Sequence, residues 1–267
     1  MPSTSFHFTK MHGLGNDFVI VNATDHPLVL SSPLIAQLGH RHTGIGFDQL
    51  LMIEPSQQAD FFCRIFNADG SEAEQCGNGL RCVARFVHEK KLQTSSHLRI
   101  ETRAGVFPVM IRDYDHIRVT MGVPQIQEKY IELKIAEKLF RLSVLSLGNP
   151  HAIIKIESIA AVPVLDWGTA ISEHHFFPQG ANVGFMQIIT PQHIRLRAFE
   201  RGVGETYACG SNACAAVAAG ILNGWLDHRV KVEFKLGYLE IEWAGEDKPL
   251  QMTGPAVRVF EGNYHRT

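Results

Sequence analysis

The chain has 267 residues, enough for one large domain or two ordinary ones with a substantial core. Its 45% apolar and 19% charged residues exclude a disordered chain, and a net charge of −2 with no dense basic cluster argues against nucleic acid as a partner. No charged start and apolar run of a secretory leader is visible in "MPSTSFHFTK", and the most apolar stretch, residues 213–222, is about half a bilayer span. A cytoplasmic enzyme with no membrane partner is expected.

In chain order, β-rich runs at residues 18–22, 50–53, 61–66 and 98–102 predict strands separated by glycine-rich turns. Between the last two lies "EQCGNGLRC", where Cys76 stands directly before a helical pattern: Leu80, Val83, Ala84 and Val87 fall at i, i+3, i+4 and i+7. Residues 125–140 carry charge and no catalytic motif, and read as the passage between two halves. A second helix is expected to start near Ser211 or Asn212, both good N-cap types, and to stop at Asn223-Gly224. Mostly alanine, it has little polar face and should be buried on nearly all sides.

The two helices belong to a duplication. "QCGNGLRCVARFV" at 75–87 has a counterpart in "ACGSNACAAVAAG" at 208–220, and 133 residues separate Cys76 from Cys209. The same offset carries Gly15-Asn16 onto Gly148-Asn149, Gln49 onto Asn182, Arg64 and Phe66 onto Arg197 and Phe199, Asn67 onto Glu200 and Glu72 onto Glu205. Later it drifts: Glu101 and Gly105 match Glu233 and Gly237, and "MGVP" at 121–124 resembles "MTGP" at 252–255. The class is α+β, with two pseudo-symmetric lobes. The expected division is residues 1–124, with the tail 257–267 packed on them, and residues 125–256.

A thiol ahead of a helix is either core filling or a reactive group whose pKa the helix end lowers. Two thiols in register favour chemistry. If the lobes present them from opposite sides of one carbon, one can remove an α-hydrogen while the other returns a proton to the opposite face, which inverts the stereocentre. The carbanion needs preorganised donors, and the helix-start amides at Gly77-Asn78 and Gly210-Ser211 could hold the α-carboxylate. Cys63, Cys82 and Cys214 read as core. Neither cysteine pair has zinc spacing or a histidine at ligand distance, so no metal is expected. No nucleotide fingerprint is present either; pyridoxal phosphate is left open by motif alone, although paired thiols make an electron sink unnecessary.

These residues resemble the diaminopimelate epimerases over nearly the whole chain, through "MHGLGNDFVIVN" (11–22), "FNADGSEAEQCGNGLRC" (66–82), "GNPHA" (148–152) and "FERGVGETYACGSNACAA" (199–216). The resemblance implies cofactor-free interconversion of LL- and meso-diaminopimelate for lysine and cell-wall synthesis. It also implies a curled β-sheet around a central helix in each lobe, a site in the cleft between lobes, and a homodimer. By position, Cys76 and Cys209 would be the acid–base pair, with His151 and Glu200 setting their protonation. Asn16, Gln49, Asn67, Asn149, Asn182, Glu200 and Arg201 would line the pocket, together with Gly77, Asn78, Gly210 and Ser211. Arg201 would clamp the distal carboxylate bidentately. Two departures stand out: Ala152 where many relatives have cysteine, and Asn212 where many have glycine. Rival readings are a proline or hydroxyproline racemase, a redox protein using a Cys76–Cys209 disulfide, and a non-catalytic scaffold.

Overall fold

The computed structural model describes residues 5–135 and 138–265. The chain divides into two compact units, one formed by residues up to Val119 together with those from Gly254 on, the other by Thr120–Thr253.

The first lobe begins with β1 (Ser5–Gly13) and β2 (Asn16–Asn22), an antiparallel hairpin whose turn places Leu14 and Gly15 at φ 56° and 90°. Helix α1 (Ser32–Gly39) then crosses to β3 (Gln49–Glu54), which runs parallel to β2. Strand β4 (Phe61–Asn67) returns antiparallel, and the two-residue β5 (Glu72–Ala73) leads into helix α2 (Gly77–Glu89). The lobe continues through β6 (His97–Thr102), β7 (Gly105–Ile111) and β8 (Ile117–Gly122). Strand β3 reads as an unbroken apolar run because both its faces are covered. Leu50 and Met52 join Ile35 and Leu38 of α1 in one core cluster, while Leu51 faces Gly79 of α2. Helix α2 touches the neighbouring strands β1, β2 and β3 and also β7, which lies beyond β4 and β6 in the pairing, so the sheet curls around it. Its Cys82, Val83, Ala84 and Val87 are fully enclosed, and Cys63 of β4 is 1% exposed, as core assignments require.

The second lobe repeats this plan with β9 (Gln125–Ile135), β10 (Lys138–Ser146), β11 (Pro150–Lys155), α3 (Val164–Ser172), β12 (Asn182–Thr190), β13 (His193–Glu200) and β14 (Gly204–Thr206). Helix α4 (Gly210–Leu222), β15 (Arg229–Phe234), β16 (Gly237–Glu242) and β17 (Leu250–Gly254) complete it. Pairings recur at the offset read from the sequence: Phe18 opposite Gln49 becomes His151 opposite Asn182, and Ile65 opposite Ala73 becomes Ala198 opposite Thr206. The Arg64–Glu72 ion pair (3.0 Å) recurs as Arg197–Glu205 (2.6 Å). Helix α4 touches β10, β11, β12, β13 and β16 and is buried without a break from Asn212 to Gly220, as its alanine content predicts.

Three sequence expectations are corrected. Residues 125–135 and 138–140 are in strands rather than a passage: β9 pairs antiparallel with β10, and residues 136–137 lie outside the described residues. The first six residues of β9 are exposed on both faces of the strand, while Leu133 and Phe140 enter the core. Secondly, α4 starts at Gly210 with Cys209, not Ser211 or Asn212, as its extended N-cap (φ −127°, ψ 116°). Asn212 lies inside the helix and donates from Nδ2 to the Val183 carbonyl at 3.1 Å. Thirdly, the register matches Met252 with Val119, not with Met121, because Val119 opposes Val109 as Met252 opposes Ile241. The likeness of "MGVP" to "MTGP" is one of turn residues, whereas buried alternation sets strand register.

Strand β18 (Val257–His265) pairs antiparallel with β1, the place that β9 takes beside β10 in the other lobe. The turn after β4 depends on Gly70, at φ 85°, whose N–H donates to the Asn67 carbonyl at 2.9 Å. A Cβ there would run into the Ser32 carbonyl oxygen. Combining left-handed strain with a backbone clash, Gly70→Ala should lower stability by about 3 kcal/mol. Urea unfolding would show it, and a change below about 1 kcal/mol would contradict this view of the turn.

Candidate active site

In each lobe several candidate residues meet at the start of the central helix. In the first, Cys76 is the N-cap of α2 (φ −151°, ψ 106°), and its Sγ accepts the Gly79 N–H at 3.4 Å. The chain turns here from extended backbone at Cys76 into the helix at Gly77, and the amides of a first helical turn lack a carbonyl partner within the helix, so one of them reaches the sulfur. Asn16 comes in from the start of β2, with its Oδ1 3.7 Å from Cys76 Sγ and 3.2 Å from Asn78 Nδ2. Gln49 and Asn67, opposite each other on β3 and β4, are joined by a Gln49 Nε2 to Asn67 Oδ1 bond of 3.0 Å. Asn67 Nδ2 donates in turn to Ser71 Oγ at 3.0 Å. Gln49 Oε1 is buried and has no hydrogen-bond partner among the described residues.

In the second lobe, Cys209 caps α4 and its Sγ lies 3.4 Å from Ser211 Oγ. Glu200 stands close enough to act on that thiol, and its Oε1 accepts from Thr206 Oγ1 at 2.5 Å. Asn182 Oδ1 accepts the Arg201 N–H at 3.0 Å, and Arg201 Nη1 donates to the Gln179 carbonyl at 2.7 Å. Asn149 Oδ1 lies 3.0 Å from Nε2 of His151, a residue with no exposed surface. In the first lobe, contacts join Cys76, Asn16 and Asn78, and separately Gln49 and Asn67; in the second they join Cys209, Ser211 and Glu200, and separately Asn182 with Arg201 and Asn149 with His151.

Electrostatics separates the thiols from the simple picture of a helix end that lowers both. Burial, reinforced by the Glu200 carboxylate, pushes the Cys209 thiol well above the ordinary cysteine range. The Ser211 hydroxyl and the Asn212 N–H pull the other way and lose. The expectation of a lowered thiol is therefore corrected for Cys209, which is held protonated at neutral pH. His151 is pushed down to about 3 by burial alone, so its imidazole is neutral under ordinary conditions.

Residues that sequence reasoning missed surround Asn16. Asp48 and Asp17 form a carboxylate pair tied by Arg41, and Lys10 donates to Asp17 at 2.5 Å. Burial pushes Asp17 up, but the Arg41 and Lys10 bonds outweigh it and hold the carboxyl at about 2. The duplication could not reveal them, since the offset carries Asp17 onto Pro150 and Asp48 onto Ala181. Their only sequence signal is adjacency to Asn16 and Gln49. Among the described residues no three His, Cys, Asp or Glu side chains are grouped to hold a metal ion, and no helix is long and apolar enough to cross a membrane.

A family model described as diaminopimelate epimerase matches residues 8–127 and 143–259. A diaminopimelate epimerase of Nitrosomonas eutropha is 50% identical over 96% of this chain and 97% of its own, and one of Stutzerimonas stutzeri is 47% identical with the same coverage. Among solved structures, a hydroxyproline epimerase from Agrobacterium vitis shares the fold at TM-score 0.77 and 14% identity, covering 98% of this chain and 92% of its own. A PhzF-family phenazine biosynthesis protein from Bacillus anthracis does so at TM-score 0.74 and 18% identity, covering 98% and 99%. With the family model spanning both halves of the duplication, the chain belongs to the diaminopimelate epimerase family.

Proposed function

We propose that this chain interconverts LL- and meso-diaminopimelate in lysine biosynthesis, with Cys76 and Cys209 as its two acid–base groups. The observation that carries the reading is the repeated helix cap: in each lobe the residue leading into the central helix is a cysteine, at the same point of the duplication. Inversion needs a base on one face of the α-carbon and an acid on the other. The Cys76 thiolate takes the α-hydrogen and the Cys209 S–H, kept protonated by burial and Glu200, delivers its proton to the opposite face. After turnover the protonation states are exchanged, so the reverse direction uses the same two groups.

The carbanion is the costly species. The helix-start amides at Gly77-Asn78 and Gly210-Ser211 are the donors for its carboxylate, each such donor being worth about 2.7–4 kcal/mol at the transition state. The distal end of the substrate carries an ammonium and a carboxylate. The buried, unpartnered Gln49 Oε1 suits an ammonium donor, and the Arg201 guanidinium suits the carboxylate. No step calls on a metal or an electron-sink cofactor.

The test is an assay of purified protein on LL-diaminopimelate and on proline, in deuterated water. Turnover of LL-diaminopimelate with deuterium entering the α-carbon is expected. Turnover of proline alone would overturn the substrate assignment, and epimerisation without deuterium would overturn the proton-transfer chemistry.

A further inference from the structure

Asn16 and Asn149 occupy the same point of the duplication, yet the two lobes hold them by opposite ends. A side-chain amide is nearly symmetric in shape and opposite in chemistry at its two ends, so whichever end a partner holds decides what the other end offers. Asn149 is held by its oxygen, through His151 Nε2. Asn16 is held by its nitrogen, because the group facing it is a carboxylate that is already accepting: Asp48 Oδ2 takes Asn16 Nδ2 at 2.9 Å and the Asp17 N–H at 3.1 Å, while Oδ1 takes Arg41 Nη2 at 2.7 Å. A carbonyl end turned toward Asp48 would set acceptor against acceptor.

Asp48 is itself fixed from several sides. Its N–H donates to Asp17 Oδ1 at 3.0 Å, its carbonyl accepts the Ala68 N–H at 3.0 Å, and Arg41 spans both carboxylates. Lys10, 8% exposed, donates to Asp17 and to the Gly46 carbonyl. The offset leads from Asp48 to Ala181 and from Asp17 to Pro150, so the second lobe carries no carboxylate at either matching position.

We propose that Asp48, held by Arg41, is a positioning residue: it locks the Asn16 amide so that its carbonyl oxygen, not its NH2, faces Cys76 Sγ and Asn78 Nδ2. The inference rests on the reading of Cys76 and Asn16 as site residues. Through Asn16 the carboxylate gives the Cys76 S–H, the proton donor of the reverse direction, a fixed acceptor to orient on, and it aligns Asn78 at the first turn of α2.

A double-mutant cycle on diaminopimelate turnover tests it. Asp48→Ala should lower kcat about tenfold with KM within twofold, as expected for lost orientation at the reacting centre. In an Asn16→Ala background the same change should cost nothing further, since a residue acting through Asn16 has nothing left to act on. Asp48→Asn, which keeps an oxygen to accept from Asn16, should stay within about threefold of wild type. Unchanged kcat in Asp48→Ala, or losses that multiply in the double variant, would overturn the proposal. Wild-type turnover in Asn16→Ala would instead remove Asn16 from the site, and the proposal with it. In case Asp48→Ala does not fold, the wild-type protein labelled with 15N-asparagine gives a second readout. One Asn16 amide proton should be shifted downfield and protected from exchange, whereas a pair of Asn16 amide protons at ordinary shifts, both exchanging freely with water, would overturn the assignment.

Discussion

Replacing either Cys76 or Cys209 with alanine is expected to reduce epimerisation by about 10³-fold or more. Positioned acid–base groups are typically worth about 10²–10⁴-fold, and under the proposed two-base mechanism neither thiol can stand in for the other, because each would serve one face of the carbon. The structure separates this effect from unfolding. Both residues cap a helix, and loss of a cap costs about 1 kcal/mol, which a two-lobed protein of this size withstands. Circular dichroism and a thermal melt should therefore show folded variants, while the rate of α-hydrogen inversion collapses. Wild-type epimerisation in either folded variant would remove that cysteine from the chemistry. The same outcome would also speak against a working disulfide; the structure joins none of the five cysteines in one.

Alkaline solution is expected to destabilise the protein steeply, through thiols that take no part in catalysis as well as one that does. Burial raises Cys82 to about 12 and carries Cys63 and Cys209 upward too. A thiol whose native pKa lies above its unfolded value, about 8.5, keeps its proton in the folded state after the unfolded chain has lost it. The stability linked to that proton is fully present below pH 8.5 and is lost as the pH rises from there toward the native pKa. At pH 10 the loss is about 2 kcal/mol for a thiol such as Cys82, held near 12 in the native state. Urea unfolding at pH 7.5 and pH 10, under reducing conditions, would measure it. Cys82→Ala should start somewhat less stable at pH 7.5 and lose about 2 kcal/mol less than wild type on going to pH 10. Equal losses in the two proteins would contradict the assignment of Cys82 as a buried, proton-retaining thiol.

Much of this was legible in the residues because a duplication makes two independent measurements of one design. Cys76 and Cys209, Asn16 and Asn149, and Gln49 and Asn182 each vouch for the other, and strand pairing follows the same spacing. What escaped notice was whatever one copy has and the other lacks. Asp48 has Ala181 as its partner, and Asp17 has Pro150, so no comparison within the chain could lift them out. The charged face of β9 concealed its alternation, since only Leu133 is fully inside and the residues before it are mostly exposed. The start of α4 was misplaced because Ser211 and Asn212 are better N-caps in general than cysteine. Here the cap is dictated by the repeat rather than by propensity. The divergence of Cys209 from a simple helix-end thiol came from Glu200 and from burial, neither of which is a property of the local sequence.

Strand β18 pairs along β1, so the strand that completes the first lobe is synthesised after the whole of the second. During translation β1 waits with one edge open, its amides and carbonyls hydrated or bound elsewhere, while more than a hundred residues emerge and form a competing sheet of the same design. The two halves look interchangeable on paper, but they mature in unequal order: the second can close as soon as it is made, and the first closes last.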